Sequence, residues 1–317
     1  MRIAFTINSL SKGGAQRVFS NLMNYVIEHD DEVYLIMLNK SPIEYDINKK
    51  INIFYVNNYE RNKKNIIITT ITFIKNIFKM KKILNQIHPD VILSFLPITN
   101  FVTLWANNNK YPIVVSTRND HNIEFPNKKY QFLMQKLYNK ADGFIFQTEE
   151  QKAYFDTVNI KKKYAIIPNP INENFLVERY KGKREKVIVS VGRLVKQKNQ
   201  ELIIDAFNDI KDKIPKYKLI IYGEGELRGK FIDKINELNL SDRIFLPGKV
   251  DNIKEKIYKS SLFILSSNYE GMPNSLMEAM SLGLPVIATD CPCGGPKSLV
   301  KNGENGVKVN RDNNFFD

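Results

Sequence analysis

Short apolar runs recur along the whole chain, separated by stretches in which apolar residues return every three or four positions. The runs are RIAFTI (2–7), EVYLIML (32–38), VILSF (91–95), IVVST (113–117), GFIFQT (143–148) and AII (165–167). A second series follows: KVIVSVG (186–192), KLIIYG (218–223), RIFLPG (243–248), SLFILSS (261–267) and PVIAT (285–289). Continuous runs of this length predict strands, with IVVST, GFIFQT and SLFILSS of the buried type. Helical periodicity predicts helices over 15–28, near 66–87, over 127–139 and over about 275–282. Strand and helix patterns that alternate in this way belong to a parallel α/β fold.

The rhythm pauses once, at PNPIN (168–172). Two prolines fix their own φ and push the preceding residues to extended geometry, so this segment reads as a stiff connector. A polar, charged stretch over 181–185 follows, so the boundary falls between 170 and 186. The division adopted is 1–170 and 171–317. A chain of 317 residues is comfortable for two such domains.

Composition narrows the partners. Lys and Arg number 47 against 34 Asp and Glu, a net charge of +13. Such a chain attracts nucleic acid, anionic lipid or anionic substrates. The basic runs at 61–64 and 161–163 carry no interleaved aromatics, which argues against nucleic acid. The apolar run 65–78 is too short for an uncharged span and is interrupted by Lys75. With MKKILNQI it forms an amphipathic pattern bearing Lys75, Lys79, Lys81 and Lys82. That pattern fits either a helix packed on the sheet with a solvated basic face or a surface lying on an anionic membrane. The N-terminus runs straight into a strand with no leader. Cys291 and Cys293 lie one residue apart, without a zinc pattern, and read as reduced thiols. The expected location is cytoplasmic, and the membrane-lying reading of that amphipathic helix would add peripheral attachment to the inner face of the cytoplasmic membrane.

The segment NYEGMPNSLMEAMSLGLPVIATDCPCGGP (268–296) carries the most chemistry. A buried strand leads through a Gly-Met-Pro turn to Asn274, in the position of an N-cap, and Gly283 stops the helix. A helix start offers free backbone N–H groups and the positive end of the dipole to an anion. Glu270 and Glu278 flank that start and suit neutral hydroxyl groups, from which a carboxylate accepts hydrogen bonds. Diphosphate and sugar hydroxyls together describe a nucleotide-sugar. Arg193 and Lys198 follow the strand over 187–191, at the carboxyl end where open α/β sheets bind ligands. Both suit phosphate.

These residues resemble the Glu-x7-Glu signature of retaining glycosyltransferases of family 4, which have the GT-B fold. Four further segments resemble the family in the same order: NSLSKGGAQRV near the N-terminus, VGRLVKQKNQELIIDAF (191–207), YGEGELRGKF (222–231) and LPGKVDNI (246–253). The resemblance implies two Rossmann-like domains facing across a cleft, the first on the acceptor side and the second holding the donor. It implies the kind of enzyme that builds bacterial cell-surface polysaccharides, capsule or lipopolysaccharide, from a UDP-sugar and a glycan or lipid-linked acceptor. Arg193 and Lys198 would hold the diphosphate, with Asn274, Ser275 and Leu276 meeting it through backbone N–H groups. Glu278 would hold the ribose, and Glu270 the donor sugar or its phosphate end. Gly13 and Gly14 would line the cleft, Gly223 would flank the base, and His121 on STRNDHN (116–122) would serve the acceptor or donor sugar. Gln16 stands where many relatives have Glu. The absence of an Asp-x-Asp pattern implies metal-independent transfer, with no cofactor beyond the donor itself. Family members continue with further C-terminal helices, which this sequence lacks after Val309. Three alternatives stay open: a non-catalytic chain that binds nucleotide or docks on a partner, a GT-B epimerase or hydrolase of nucleotide-sugars, and a Rossmann dehydrogenase. The missing third glycine of a dinucleotide fingerprint opposes the last.

Overall fold

A computed structural model describes residues 1–11, 13–57 and 66–310, without the side chains of 66–70. The basic run at 61–64 and the end of the chain at 311–317 lie outside the described residues. Two compact units are present, Met1–Pro168 and Asn169–Asp317, and the division falls inside the Pro-Asn-Pro-Ile-Asn segment.

The first unit contains strands β1 (Arg2–Ile7), β2 (Glu32–Asn39), β3 (Asn52–Asn57), β4 (Val91–Phe95), β5 (Ile113–Ser116), β6 (Gly143–Phe146) and β7 (Lys163–Ile166). Its helices are α1 (Gly14–Glu28), α2 (Ile66–Ile87), α3 (Pro97–Asn107), α4 (His121–Glu124), α5 (Lys128–Tyr138) and α6 (Glu149–Thr157). The sheet order is β3-β2-β1-β4-β5-β6-β7, all parallel. Adjacent residues of one strand feed opposite faces. Phe5, Leu35 and Met37 join Phe19, Met23 and Phe95 on one side. Ala4, Ile36 and Leu38 join Met80, Leu84, Phe101 and Tyr138 on the other. This two-sided burial is why the strands read as unbroken apolar runs.

Among the elements of this unit that escape the periodicity are β3 and α3. β3 is the edge strand, and its Asn52 and Ile53 are exposed, so NIFYVN lacks the signature of a buried strand. Helix α3 is buried almost all round and so has no apolar stripe. Two of its buried polar residues bond internally: Asn100 donates to the Tyr138 hydroxyl at 3.0 Å, and Thr103 to the Thr6 hydroxyl at 3.2 Å. Helix α2 packs Met80, Leu84 and Ile87 into the core while Ile71, Ile74 and Phe78 stay exposed. Among the described residues, no helix is long and apolar enough to cross a membrane.

The second unit contains β8 (Glu185–Val191), β9 (Lys218–Tyr222), β10 (Ile244–Gly248), β11 (Ser260–Leu265), β12 (Val286–Asp290) and β13 (Val307–Asn310). Its helices are α7 (Gln200–Ile210), α8 (Arg228–Glu237), α9 (Ile253–Ile257), α10 (Asn274–Ser281) and α11 (Gly295–Leu299). The parallel order β10-β9-β8-β11-β12-β13 reverses direction between β8 and β11. In open α/β sheets such a reversal opens a crevice at the carboxyl ends of the two strands, and ligands bind there.

Candidate functional site

The loops that leave β8 and β11 meet at this reversal. Asn268 donates its backbone N–H to Gln197 O at 2.8 Å and its side-chain amide to Lys196 O at 2.7 Å. Gln197 Nε2 donates to Tyr269 O at 3.1 Å, and Ser266 Oγ to Lys198 O at 2.8 Å. Through this seam Lys198 Nζ reaches Glu270 Oε1, which also accepts from Ser267 Oγ at 2.6 Å. Both partners are largely withdrawn from water, with side chains 15% and 8% exposed. Arg193 stays exposed and donates to Gln197 Oε1 at 3.2 Å.

Gly223 makes the crevice floor possible. Its φ is +143°, and a Cβ there would lie 1.9 Å from Gly192 O. Gly225 presses on Leu194 O in the same way, at 2.3 Å from a built Cβ. Backbone bonds from Gly192 N to Tyr222 O and from Leu194 N to Glu224 O hold the two loops together. Only glycine allows backbone to approach backbone this closely.

Helix α10 opens beside Glu270. The structure corrects the expected cap: Pro273 occupies the capping position, and Asn274 is already the first helical residue. The Asn274 Oδ1 accepts from Asn169 Nδ2 at 2.8 Å, which draws it away from the first-turn amides a cap would serve. A second correction concerns Leu276, whose N–H donates to Pro273 O at 3.1 Å and is thereby taken out of the group expected to meet an anion. Glu278 is buried, at 7% exposure, one turn into the helix. Gly283, at φ +73°, ends the helix as expected. Its N–H reaches Met280 O and the Leu284 N–H reaches Ala279 O, the paired bonds of a Schellman motif.

In the first unit, the loops after β1 and β5 leave the same end of their sheet. Gly13 has an extended φ of 169°. The nearest atoms a Cβ there would meet are those of the Gln16 side-chain amide, so backbone crowding does not require this glycine. The Tyr45 hydroxyl accepts from Gly13 N and donates to Gly13 O, each at 2.7 Å. Gly14 begins α1.

After β5, Asp120 caps α4 by accepting from Asn122 N at 2.7 Å. His121 stacks on Tyr154 with ring centroids 3.6 Å apart, and burial lowers its pKa despite the neighbouring Asp120 carboxylate. The Arg118 guanidinium lies 3.9 Å over the Phe95 ring, and burial pulls it down to about 9, still protonated at neutral pH. Glu124 is pushed up to about 8 by burial, against the pull of the Arg118 and Asn119 backbone.

Sequence comparison identifies the family. The model described as Glycosyltransferase Family 4 matches residues 12–175, more than half of the chain, and that of Glycosyl transferases group 1 matches residues 173–314. The chain belongs to glycosyltransferase family 4. An uncharacterized glycosyltransferase of Methanocaldococcus jannaschii is 30% identical over 76% of this chain, a match that spans 65% of that relative's length. A Campylobacter jejuni transferase is 29% identical over 99% of this chain and 88% of its own. It is named N-acetylgalactosamine-N,N'-diacetylbacillosaminyl-diphospho-undecaprenol 4-alpha-N-acetylgalactosaminyltransferase. Among solved structures, a mutant TarM of S. aureus, in complex with fondaparinux, alpha-GlcNAc-glycerol and UDP, aligns with a TM-score of 0.79 at 16% identity. That alignment covers 98% of this chain and 90% of that one. The two parallel sheets are those of the GT-B fold.

In this family-4 chain the second unit gathers Arg193, Lys198, Gly223, Glu270, Asn274, Ser275 and Glu278 around one strand reversal. Gly13, Gly14 and His121 belong to the first unit. Sequence reasoning missed Ser267, Gln197, Tyr154 and Glu124. Ser267 carried a signal, since a polar residue closing an apolar strand sits where ligands bind. Tyr154 and Glu124 carried none, because stacking and burial depend on neighbours distant along the chain.

Proposed function

We propose that this chain is a retaining glycosyltransferase that moves a sugar from a UDP-sugar to a hydroxyl of a lipid-linked cell-surface glycan. The observation that carries the reading is the seam at the β8–β11 reversal. It sets Lys198 and Glu270 against each other and puts Arg193 on the same loop as Lys198. Arg193, Lys198 and the open start of α10 would stabilise the departing UDP, and Glu278 would accept from the ribose hydroxyls. Glu270, held by Lys198 and Ser267, would face the donor sugar. With the anomeric configuration kept by front-face displacement, the departing phosphate oxygen takes the acceptor proton. Positioning then supplies most of the rate, without a side-chain base or a metal. The UDP in the TarM complex and the diphospho-undecaprenol in the name of the Campylobacter relative support the choice of donor and acceptor.

Titration calorimetry with UDP tests the donor. Binding by the wild type that vanishes in an Arg193→Ala/Glu278→Ala double variant is expected. No binding by a cooperatively folded wild type would sink the nucleotide assignment.

The same reading puts the enzyme peripherally on the inner face of the cytoplasmic membrane, where nucleotide-sugars and lipid-linked acceptors meet. Exposed Ile71, Ile74 and Phe78 beside Lys75, Lys79, Lys81 and Lys82 on α2 support it, as does the net charge of +13. Co-sedimentation with anionic but not neutral vesicles, weakened by added salt, is the expected result. Equal partitioning to both would remove this part of the proposal.

A further inference from the structure

Asn169 begins the second unit and belongs to the segment read from sequence only as a stiff connector. Its side chain is buried and acts on the start of α10. One amide nitrogen uses both its hydrogens there: Nδ2 donates to Met272 O at 3.2 Å and to Asn274 Oδ1 at 2.8 Å. Pro273, between the two acceptors, has no N–H and no side-chain group with which to cap the helix. The chemistry fixes which way the amides point. A backbone carbonyl only accepts, so the NH2 end of Asn169 must face Met272. Asn274 must then offer its oxygen to the same nitrogen, which turns its own NH2 end to the other side.

We propose that Asn169 is a positioning residue for the diphosphate of the donor. It draws two acceptor oxygens, Met272 O and Asn274 Oδ1, away from the place an anion would take. What is left toward the phosphates is then the Ser275 N–H and the dipole of α10. An oxygen left facing a phosphate would repel it, and at the start of an eight-residue helix with a proline cap no local side chain prevents this. The role rests on the nucleotide-sugar reading above and adds to it a residue that lies outside every motif quoted for the site.

The test compares UDP with uridine, which keeps the base and ribose and lacks the phosphates. Dissociation constants are measured by ligand-observed NMR for wild type, Arg193→Ala, Asn169→Ala and Asn169→Asp, with a thermal melt of each. Asn169→Ala should bind UDP about tenfold more weakly, the scale of one or two neutral hydrogen bonds, and uridine within about twofold of wild type. Asn169→Asp should lose more near neutral pH, where a carboxylate only accepts. It should regain affinity relative to wild type at about pH 5 and below, as the protonated acid becomes a donor. Asn274→Ala should cost a similar factor, and combining it with Asn169→Ala should add little, since the two act as one unit. Unchanged UDP affinity in both Asn169 variants would overturn the proposal. So would a parallel fall for UDP and uridine, which would mark Asn169 as a plain fold-stabilising residue. A wild type that binds no UDP brings down the donor assignment and this role together. A wild type whose binding is lost in Arg193→Ala and kept in the Asn169 variants brings down this role alone.

Discussion

Lys198 and Glu270, proposed above as ligand contacts, also serve the structure. Each neutralises a charge that its surroundings would otherwise penalise, and Ser267 adds a neutral donor to the carboxylate. Lys198→Met would leave a mostly buried carboxylate without its cation, a loss of about 3 kcal/mol. Adding Glu270→Gln should restore most of that stability and none of the UDP affinity, checked by urea denaturation beside titration. The loop after β5 makes a pH prediction of two signs. Glu124 has its pKa raised from 4.5 to about 8, so its contribution is full below 4.5 and is lost as pH rises to about 8. Glu124→Gln should therefore grow more stable than wild type across that window, by up to about 1.4 kcal/mol per pH unit. His121 titrates below its usual 6.5, so the unfolded chain takes up its proton first and stability falls as pH drops below 6.5. His121→Gln should flatten that acid limb of the urea midpoint. Glu270, Glu278, Arg193 and Lys198 stand out in the sequence as charged residues beside buried strand ends and a helix start, and the structure places them on the loops and helix expected. The protonated state of Glu124 was not legible there, because it follows from packing.

Among the elements, α10 depends on what lies outside it. Its stop signal was readable, since Gly283 must take a left-handed φ, whereas its start was misread because Asn274 answers to Asn169, over a hundred residues upstream. Gly283→Ala should cost about 1–2 kcal/mol, combining the left-handed penalty with a Cβ set 3.0 Å from the Arg179 stem. Differential scanning calorimetry should show the loss with UDP affinity intact. Gly223→Ala should behave differently, since its Cβ would drive the loops after β8 and β9 apart and take UDP binding with it. Strands buried on both faces were legible as apolar runs. β3 and α3 were not, the first because an edge strand is half polar and the second because a helix buried almost all round has no clear periodic stripe.

At the scale of the whole molecule, each unit has two apolar layers about its own sheet, Phe5 and Phe101 marking those of the first and Phe207 and Phe263 those of the second. Chain length and the Pro-Asn-Pro connector made the presence of two units readable. A ligand held by residues of one unit should stabilise that unit. UDP at about a hundred times its dissociation constant is expected to add roughly 2.7 kcal/mol to the second unit's transition in scanning calorimetry. A first unit whose transition moves equally would show that the nucleotide draws on both.

Cys291 and Cys293 are buried, on the loop that leaves β12. Burial first, and then the charge of Glu270, push the Cys291 thiol up to about 12. Only a thiolate attacks a labelling reagent, so Cys291 is chemically silent in the native loop. Any reaction at Cys291 must pass through a moment when the loop opens and Glu270 loses its surroundings. The rate of Cys291 modification is thus a built-in clock for the breathing of this loop, and it can be read with no engineered probe.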